Sequence, residues 1–81
     1  MINHAQLNAM RLEADELHFK IVKLIKFRHS EVWKTLDGIE KELLRSQLNF
    51  MRGYFDDLCS RIKLYERRLK EKKGAEENDK T

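Results

Sequence analysis

Proline is absent from the 81-residue sequence, and only three glycines and one cysteine are present. Proline and glycine punctuate strands and turns, so their scarcity favours long helices over a sheet. A single cysteine excludes an internal disulfide, and the free thiol of Cys59 is typical of a reducing, intracellular compartment. We therefore expect an all-α protein whose stability comes from helix packing.

Motifs for metal binding and catalysis are also missing. His4, His18 and His29 stand far apart, and neither a CxxC nor an HExxH motif occurs. The sequence has no glycine-rich phosphate loop, and its adjacent carboxylates Asp56 and Asp57 would point to different faces of a helix. We predict no metal, no cofactor and no catalytic residue, and hence a binding protein rather than an enzyme.

Long apolar runs are lacking as well. No stretch approaches the roughly 20 apolar residues of a membrane span. The N-terminal residues also lack the basic leader and the apolar core of a signal peptide. We expect a cytoplasmic protein without a membrane partner.

The sequence does contain two long runs of apolar residues at the spacing of a coiled-coil seam, alternately three and four residues apart. The first run predicts a helix over about residues 3–28, with seam positions Leu7, Met10, Ala14, Leu17, Ile21 and Leu24. The second predicts a helix over about residues 37–72, with seam positions Leu44, Leu48, Met51, Phe55, Leu58, Ile62, Tyr65 and Leu69.

The connection between the two runs carries signals for the start of a helix. Ser30 is a plausible N-cap of a short helical turn, and Asp37 followed by Glu40 forms a capping box that starts the second helix. A connection this short places the helices side by side, so residues 1–73 are predicted to form an antiparallel two-helix hairpin with a short connecting helical turn. Residues 74–81 begin with a glycine and are expected to be a disordered charged tail.

Two apolar surfaces are predicted to remain uncovered in a single hairpin. The first helix would be about 39 Å long and the second about 50 Å, so the end of the second would lack an intrachain partner. The residues at that end are Ile62, Tyr65 and Leu69. A further apolar stripe lies opposite the seam of the first helix and consists of Leu12, Phe19 and Val22. Because a chain this small has a marginal core, we expect copies to associate into an oligomeric helical bundle.

Positive charge is concentrated in residues 18–29, which hold four cations and no acid, although the net charge of the chain is only +3. Lys20, Lys23 and Lys26 recur every three residues along one flank of the first helix. One interpretation is an anion site, in which the lysines neutralise phosphate oxygens while an aromatic ring stacks on a base. The candidate rings are Phe27, Trp33 and Tyr54. The alternative is that the lysine stems merely cover apolar surface while the ammonium groups stay in water.

Arg61 opens a second basic stretch, which also contains Glu66 and Glu71. This mixture of signs is typical of a solvated helix end whose cations complement the helix dipole. Arg61 differs because it precedes the seam residue Ile62 and so lies close to a predicted contact between copies. There its guanidinium can offer two parallel hydrogen bonds to a phosphate. We therefore add Arg61 to the candidate ligand-binding residues.

Two segments carry a resemblance to a known group of proteins: EL..KI.KL..F in the first helix and LL..QL..M..Y...L..RI in the second, where dots stand for other residues. Between residues 13 and 62 the chain resembles the small helical-hairpin proteins of tailed phages, including crAss-like phages, and is similar to anti-CBASS and anti-Thoeris sponges. The resemblance implies an oligomer, a hexamer in the better known cases, that holds signalling nucleotides between protomers. It also implies ligand contacts from Lys20 or Lys23 and from Arg61.

The functional prediction is a phage anti-defence protein that sequesters a cyclic oligonucleotide or cyclic ADP-ribose-type immune messenger without cleaving it, in the cytoplasm of the infected host. Its partners would be further copies of itself and the small anionic messenger. Two alternatives remain open. One is a helical adaptor or inhibitor that docks onto an acidic host or phage protein. The other is a DNA-binding accessory protein, which the net charge of +3 and the absence of helix-turn-helix spacing disfavour.

Overall fold

Three helices make up the fold, as seen in a computed structural model that describes residues 2–79, with side chains described for residues 2–71. They are α1 (His4–Arg28), α2 (Glu31–Thr35) and α3 (Gly38–Asp79). The two long helices pack against each other in opposite directions, because residues early in α1 contact residues late in α3. The predicted all-α hairpin with a short helical connection is therefore confirmed.

Side-chain caps define where α1 and α2 begin. Asn3 forms a capping box with Gln6, in which the Asn3 side chain accepts from the Gln6 backbone N–H at 2.8 Å and the Asn3 N–H donates to the Gln6 side chain at 2.9 Å. Ser30 accepts a hydrogen bond from the backbone N–H of Trp33 at 3.3 Å, which confirms it as the predicted cap of the connecting turn. These bonds satisfy backbone donors that have no partner inside the helix.

The long helix α3 begins at the predicted cap and extends further than the sequence indicates. The backbone N–H of Glu40 donates to the Asp37 carboxylate at 2.8 Å, which is the first of the two bonds of the expected capping box. The helix then continues to Asp79, beyond the end predicted near residue 72. A glycine inside a helix costs only about 1 kcal/mol relative to alanine, so Gly74 does not by itself terminate it. The disordered tail predicted for residues 74–81 falls outside the described side chains and stays a prediction.

The core is a single apolar seam between α1 and α3. Its buried side chains are Leu7, Ala14, Ile21, Leu48, Leu58 and Ile62. All six occupy seam positions of the two predicted apolar runs, so the periodicity identifies the core correctly. Burying a leucine or isoleucine stabilises the fold by roughly 1.5–3 kcal/mol, and five such positions with one alanine make a small core for two long helices.

The register of the two helices differs from the one predicted. Ile62 is buried in one cluster with Leu7, and Tyr65 and Leu69 pack against that cluster. The prediction that these three residues of α3 lack an intrachain partner is therefore wrong. The Arg11 guanidinium, 3.0 Å from the Glu66 carboxylate, marks the observed register.

The cause of the difference lies in the connection. From the sequence, the first residues of α3 are expected to lie beside the last residues of α1. Instead, Phe27 near the end of α1 shares a groove with Gln47, well inside α3. The first turns of α3 therefore lie beyond α1, and two of their apolar side chains are exposed, Ile39 at 74% and Leu43 at 66%.

Much apolar surface is left uncovered by this slender hairpin. The accessible surface is 6585 Å², against about 5,200 Å² expected for a compact monomer of 9.8 kDa. Leu12 and Phe19 are exposed on α1, as predicted for its second stripe, whereas Val22 is half-buried. On α3 a second row, here called the outer stripe, consists of Ile39, Leu43, Phe50, Tyr54 and Leu64. The expected association of copies stays a prediction that these surfaces favour.

Replacing Leu58 by alanine tests the seam. Leu58 is 1% exposed, so Leu58→Ala should lower the free energy of unfolding by about 2–4 kcal/mol through lost burial and the cavity left behind. Leu12→Ala is the matched control, because Leu12 is 64% exposed on the opposite side of α1 and its loss should cost less than about 1 kcal/mol. Urea denaturation followed by circular dichroism measures both, and equal losses would contradict the seam.

Candidate functional site

An open groove runs between α1 and α3 on one side of the hairpin, with a volume of about 430 Å³. Its lining side chains are Lys20, Lys23, Leu24, Phe27, Gln47 and Met51. Spacings of three and four residues bring each set onto one face of its helix. Leu24, Phe27 and Met51 supply apolar surface, while the lysines and Gln47 supply polar groups. Cationic and apolar surfaces therefore meet at one place.

The groove lysines keep an uncompensated charge. Lys20 and Lys23 are both exposed. The ion pairs among residues 2–71 all involve other cations: Arg11 with Glu66, Lys34 with Glu31, and Arg45 with Glu42. The ammonium of Lys23 lies 5.0 Å from the centre of the Phe19 ring, a cation–π contact that leaves its hydrogen-bond donors in water. These two ammonium groups can therefore bind an anion without first breaking a salt bridge.

Lys26 is not part of the groove. It is exposed, and the groove lining includes only the first two members of the predicted lysine row. Residues three apart on a helix are rotated by about 60° from each other, so the row turns away from α3 as it proceeds. The three lysines thus lie at successive positions around the axis of α1, and Lys26 is outside the groove lining.

Phe27 and Trp33 lie together at the closed end of the hairpin. Their rings meet edge to face, with centroids 6.1 Å apart and planes at 87°. The guanidinium groups of Arg28 and Arg45 lie 5.9 Å and 5.8 Å from the Trp33 ring centre. Trp33 thus joins α2 to both long helices through aromatic and cation–π contacts. Phe27 lines the groove, and Trp33 packs against the Phe27 ring without lining the groove itself.

Tyr54 links the two helices next to the groove. Its hydroxyl donates a short hydrogen bond to the Glu13 carboxylate, and it lies one turn of α3 beyond Met51. The pKa of Tyr54 is raised above 10.0, first because the phenol donates to the Glu13 carboxylate, then by desolvation and by repulsion between the two negative charges. Arg61 acts in the opposite direction. The phenol therefore remains protonated, and continues to donate, across the physiological range.

Arg61 lies apart from the groove lysines within one chain. Its guanidinium is 5.9 Å from the ring centre of Tyr65, and Arg68 approaches the same ring at 6.0 Å. Seven residues separate Arg61 from Tyr54, which corresponds to two turns or about 10 Å along α3. Of the seven sequence-predicted residues, the groove lining unites Lys20, Lys23 and Phe27.

The groove and its surroundings also include residues of α3 that are not among the candidates from the sequence. Gln47 and Met51 line the groove, and Phe50 is 77% exposed between the groove-side residues Gln47 and Tyr54. The spacing of Met51 predicts a seam position and no ligand contact. Gln47 is uncharged, so charge patterning does not indicate it as a binding residue. For Phe50 the sequence did contain a signal: Leu43 and Phe50 are seven residues apart and therefore share one face of α3, the face of the outer stripe.

The part of the chain that the structure describes holds neither a metal-binding cluster nor a membrane-spanning helix. Within it, no three side chains of histidine, cysteine, aspartate or glutamate come together as metal ligands would. Cys59 is free and half-buried. No described helix combines the length and the apolar character needed to cross a membrane.

The hairpin with its open cationic groove belongs to the class of small helical binding proteins. A family model described as Sequestin matches residues 4–64, a range that contains α1, α2 and every residue lining the groove. The chain therefore belongs to the Sequestin family, whose name denotes sequestration and so implies binding rather than catalysis. No curated protein and no solved structure matches the chain.

Titration of Tyr54 tests the link between the two helices. Absorbance of tyrosinate in a Tyr65→Phe background should show Tyr54 ionising above pH 10. Glu13→Gln should lower this pKa, because the anionic acceptor that favours the protonated phenol is removed. Glu16→Gln is the control, since it removes the same charge one turn away without touching the hydrogen bond. Equal shifts from both changes would show that the bond to Glu13 is not the cause.

Proposed function

We propose that this protein sequesters a small anionic signalling nucleotide and holds it without cleaving it. The observation that carries the proposal is the groove in which Lys20 and Lys23, which form no ion pair with residues 2–71, lie beside apolar and aromatic surface. Membership of a family named for sequestration supports the same conclusion. The proposed ligand is a cyclic oligonucleotide or a cyclic ADP-ribose-type messenger of a bacterial defence system, bound in the cytoplasm of a phage-infected cell.

Each part of such a ligand has a complementary surface. The ammonium groups of Lys20 and Lys23 neutralise phosphate oxygens through charge-assisted hydrogen bonds. Phe27 offers aromatic surface inside the groove, and the exposed Phe50 lies one turn of α3 from Gln47 of the groove lining. Stacking of a base on an aromatic side chain contributes roughly 1–3 kcal/mol and tolerates different bases. Gln47 can donate to or accept from a ribose or base.

The proposal requires affinity and no turnover. The six side chains that line the groove include no histidine, cysteine, serine or carboxylate. Acid–base and nucleophilic catalysis need such groups within hydrogen-bond reach of the reacting atom. A bound phosphodiester would therefore be held and not hydrolysed.

Association of copies completes the proposed assembly. The hairpin exposes roughly 1,400 Å² more than a compact chain of its mass, and a standard interface covers about 800 Å² on each partner. Ile39, Leu43 and Leu64 of the outer stripe and the exposed Leu12 and Phe19 of α1 are the surfaces available for this contact. The proposed assembly is a homo-oligomer, and the resemblance to known sponges suggests a hexamer. In it, Arg61 of a neighbouring copy can reach phosphates that Arg61 of the same chain cannot reach. Lys26, Trp33 and Tyr54 would border the ligand.

A second candidate function is that of an adaptor. The exposed Ile39, Leu43 and Phe50 of the outer stripe follow one face of α3, and an amphipathic helix face of this kind can dock into a groove of another protein. In that case the basic flank of α1 would complement an acidic partner. The two functions differ in their response to nucleotides.

A thermal-shift screen separates the two candidates. The panel contains cyclic dinucleotides, cyclic trinucleotides and cyclic ADP-ribose isomers at concentrations up to the millimolar range. A ligand present at 100 times its Kd should stabilise the native state by about 2.7 kcal/mol, which corresponds to a rise in Tm of about 10 °C or more for a chain of this size. Chromatography of the released ligand should show it intact. The absence of any shift across the panel would favour the adaptor.

Charge reversal at the groove tests the role of the lysines. Lys23→Glu should weaken binding of any ligand found in the screen by about tenfold or more, a loss of at least 1.4 kcal/mol. Lys63→Glu makes the same change in net charge at an exposed position of α3 outside the groove lining, and it should leave affinity within about twofold. Circular dichroism should show both variants folded. Equal losses would show that total charge, and not the groove, governs binding.

A further inference from the structure

The side of the hairpin that carries the groove changes from positive to negative along α1. Lys20 lines the groove, and Glu13 lies two turns earlier on the same helix, at an axial distance of about 10 Å. Glu13 is on the groove side because it accepts the hydrogen bond from Tyr54 of α3. A ligand that reaches from the lysines along this side of the hairpin therefore meets a carboxylate.

The carboxylate of Glu13 has acceptor capacity to spare. Glu13 is exposed, and no cation among residues 2–71 forms an ion pair with it. A carboxylate offers about four acceptor positions, and the Tyr54 hydroxyl occupies one of them. Because that bond holds the carboxylate against α3, its remaining lone pairs lie near Tyr54, one turn of α3 from the exposed Phe50.

We infer that the groove selects nucleotides containing guanine, with Glu13 accepting hydrogen bonds from N1–H and N2–H of the base while Lys20 and Lys23 hold the phosphate. This inference rests on the proposed function and names the ligand class of the same site. Two turns of helix are comparable with the span of one extended nucleotide. The aromatic surface of Phe50 lies between Gln47 and Tyr54, where the base would stack.

Guanine differs from the other purines in the groups that it presents to a carboxylate. Its Watson–Crick edge has two adjacent N–H donors, which match the two oxygens of Glu13 as a fork. Adenine presents one donor next to the N1 acceptor, whose lone pair would face a negative oxygen. Hypoxanthine keeps N1–H and lacks the amino group. The expected order of affinity is guanine, then hypoxanthine, then adenine.

The same carboxylate limits how much phosphate the ligand can carry. Each additional negative charge near Glu13 or Glu16 is repelled, while Lys20 and Lys23 in the groove, and Arg61 acting on the Tyr54 end, compensate it in part. Phosphodiesters, with one charge for each phosphate, therefore fit better than triphosphates. A cyclic dinucleotide with guanine bases combines the favoured base with this low charge.

Calorimetric titration with three cyclic dinucleotides of equal charge tests the inference. The ligands contain two guanines, two hypoxanthines or two adenines, and differ only in the base edge. Hydrogen bonds to a charged acceptor lead us to expect binding of the guanine ligand at least about tenfold tighter than that of the adenine ligand. Tighter binding of the adenine ligand, or equal binding of both, would overturn the inference.

Three variants assign the preference to its source. Glu13→Ala should reduce the preference for guanine over adenine to within about threefold, whereas Glu16→Ala makes the same change in charge and should retain it. Tyr54→Phe removes the hydrogen bond that positions the carboxylate but leaves its charge, so it should reduce the preference less than Glu13→Ala does. Persistence of the preference in Glu13→Ala would overturn the assignment. Nucleotide binding without base preference would overturn this inference alone, whereas no binding of any nucleotide would overturn the proposed function with it.

Discussion

The apolar seam between α1 and α3 is the interaction on which the rest of the structure depends. Its six buried side chains hold two helices that have few other means of staying together. The exposed pair between Arg11 and Glu66 is of a kind worth between about 0 and 1 kcal/mol, far less than the burial of a single leucine. The seam therefore supplies the stability, and the polar contacts across it select among arrangements that bury similar apolar surface.

The choice of register decides the chemistry of the groove. Seam residues repeat every seven positions, so sliding α3 by one heptad again pairs apolar side chains over most of the seam, although Lys41 would take the place of the buried Leu48. A slide towards the register expected from the sequence would bring Glu40 to the place of Gln47, and a carboxylate would then stand beside Lys20 and Lys23. In the observed register the neutral Gln47 lies there. The positive charge of the groove is thus a consequence of register as much as of composition.

The sequence predicted what depends on local periodicity and failed where long-range geometry decides. Spacing identified both long helices and all six buried seam residues, and side-chain chemistry identified the caps Ser30 and Asp37. A pattern with a period of seven distinguishes registers that differ by seven only at its ends, here by Lys41 in the place of the buried Leu48, so the position of α1 along α3 depends also on the connection. There the fold of α2 and the contacts of Trp33 with Phe27, Arg28 and Arg45 set the geometry.

The dependence on helix register also explains which residues of the candidate site the sequence predicts. Lys20, Lys23 and Phe27 belong to one helix, so their spacing alone could group them, and the groove does contain them. Gln47 and Met51 come from the other helix and depend on register, which is why the sequence did not reveal them. Tyr54 is one of the candidate rings in the sequence, but its partner Glu13 lies across the helix interface and no local pattern connects the two.

A carboxylate beside a phosphate-binding groove has a cost in affinity and a gain in selectivity. Lysines alone would attract any polyphosphate, and because the attraction grows with charge, the most highly charged nucleotides would occupy the groove first. A protein that must hold one messenger among many nucleotides needs repulsion of the wrong ligands as well as attraction of the right one. Glu13 supplies both in the proposed site, since it repels excess phosphate and accepts donors from a suitable base. The hydrogen bond from Tyr54 matters in this respect because it holds the carboxylate near α3, at the edge of the groove, without neutralising its charge.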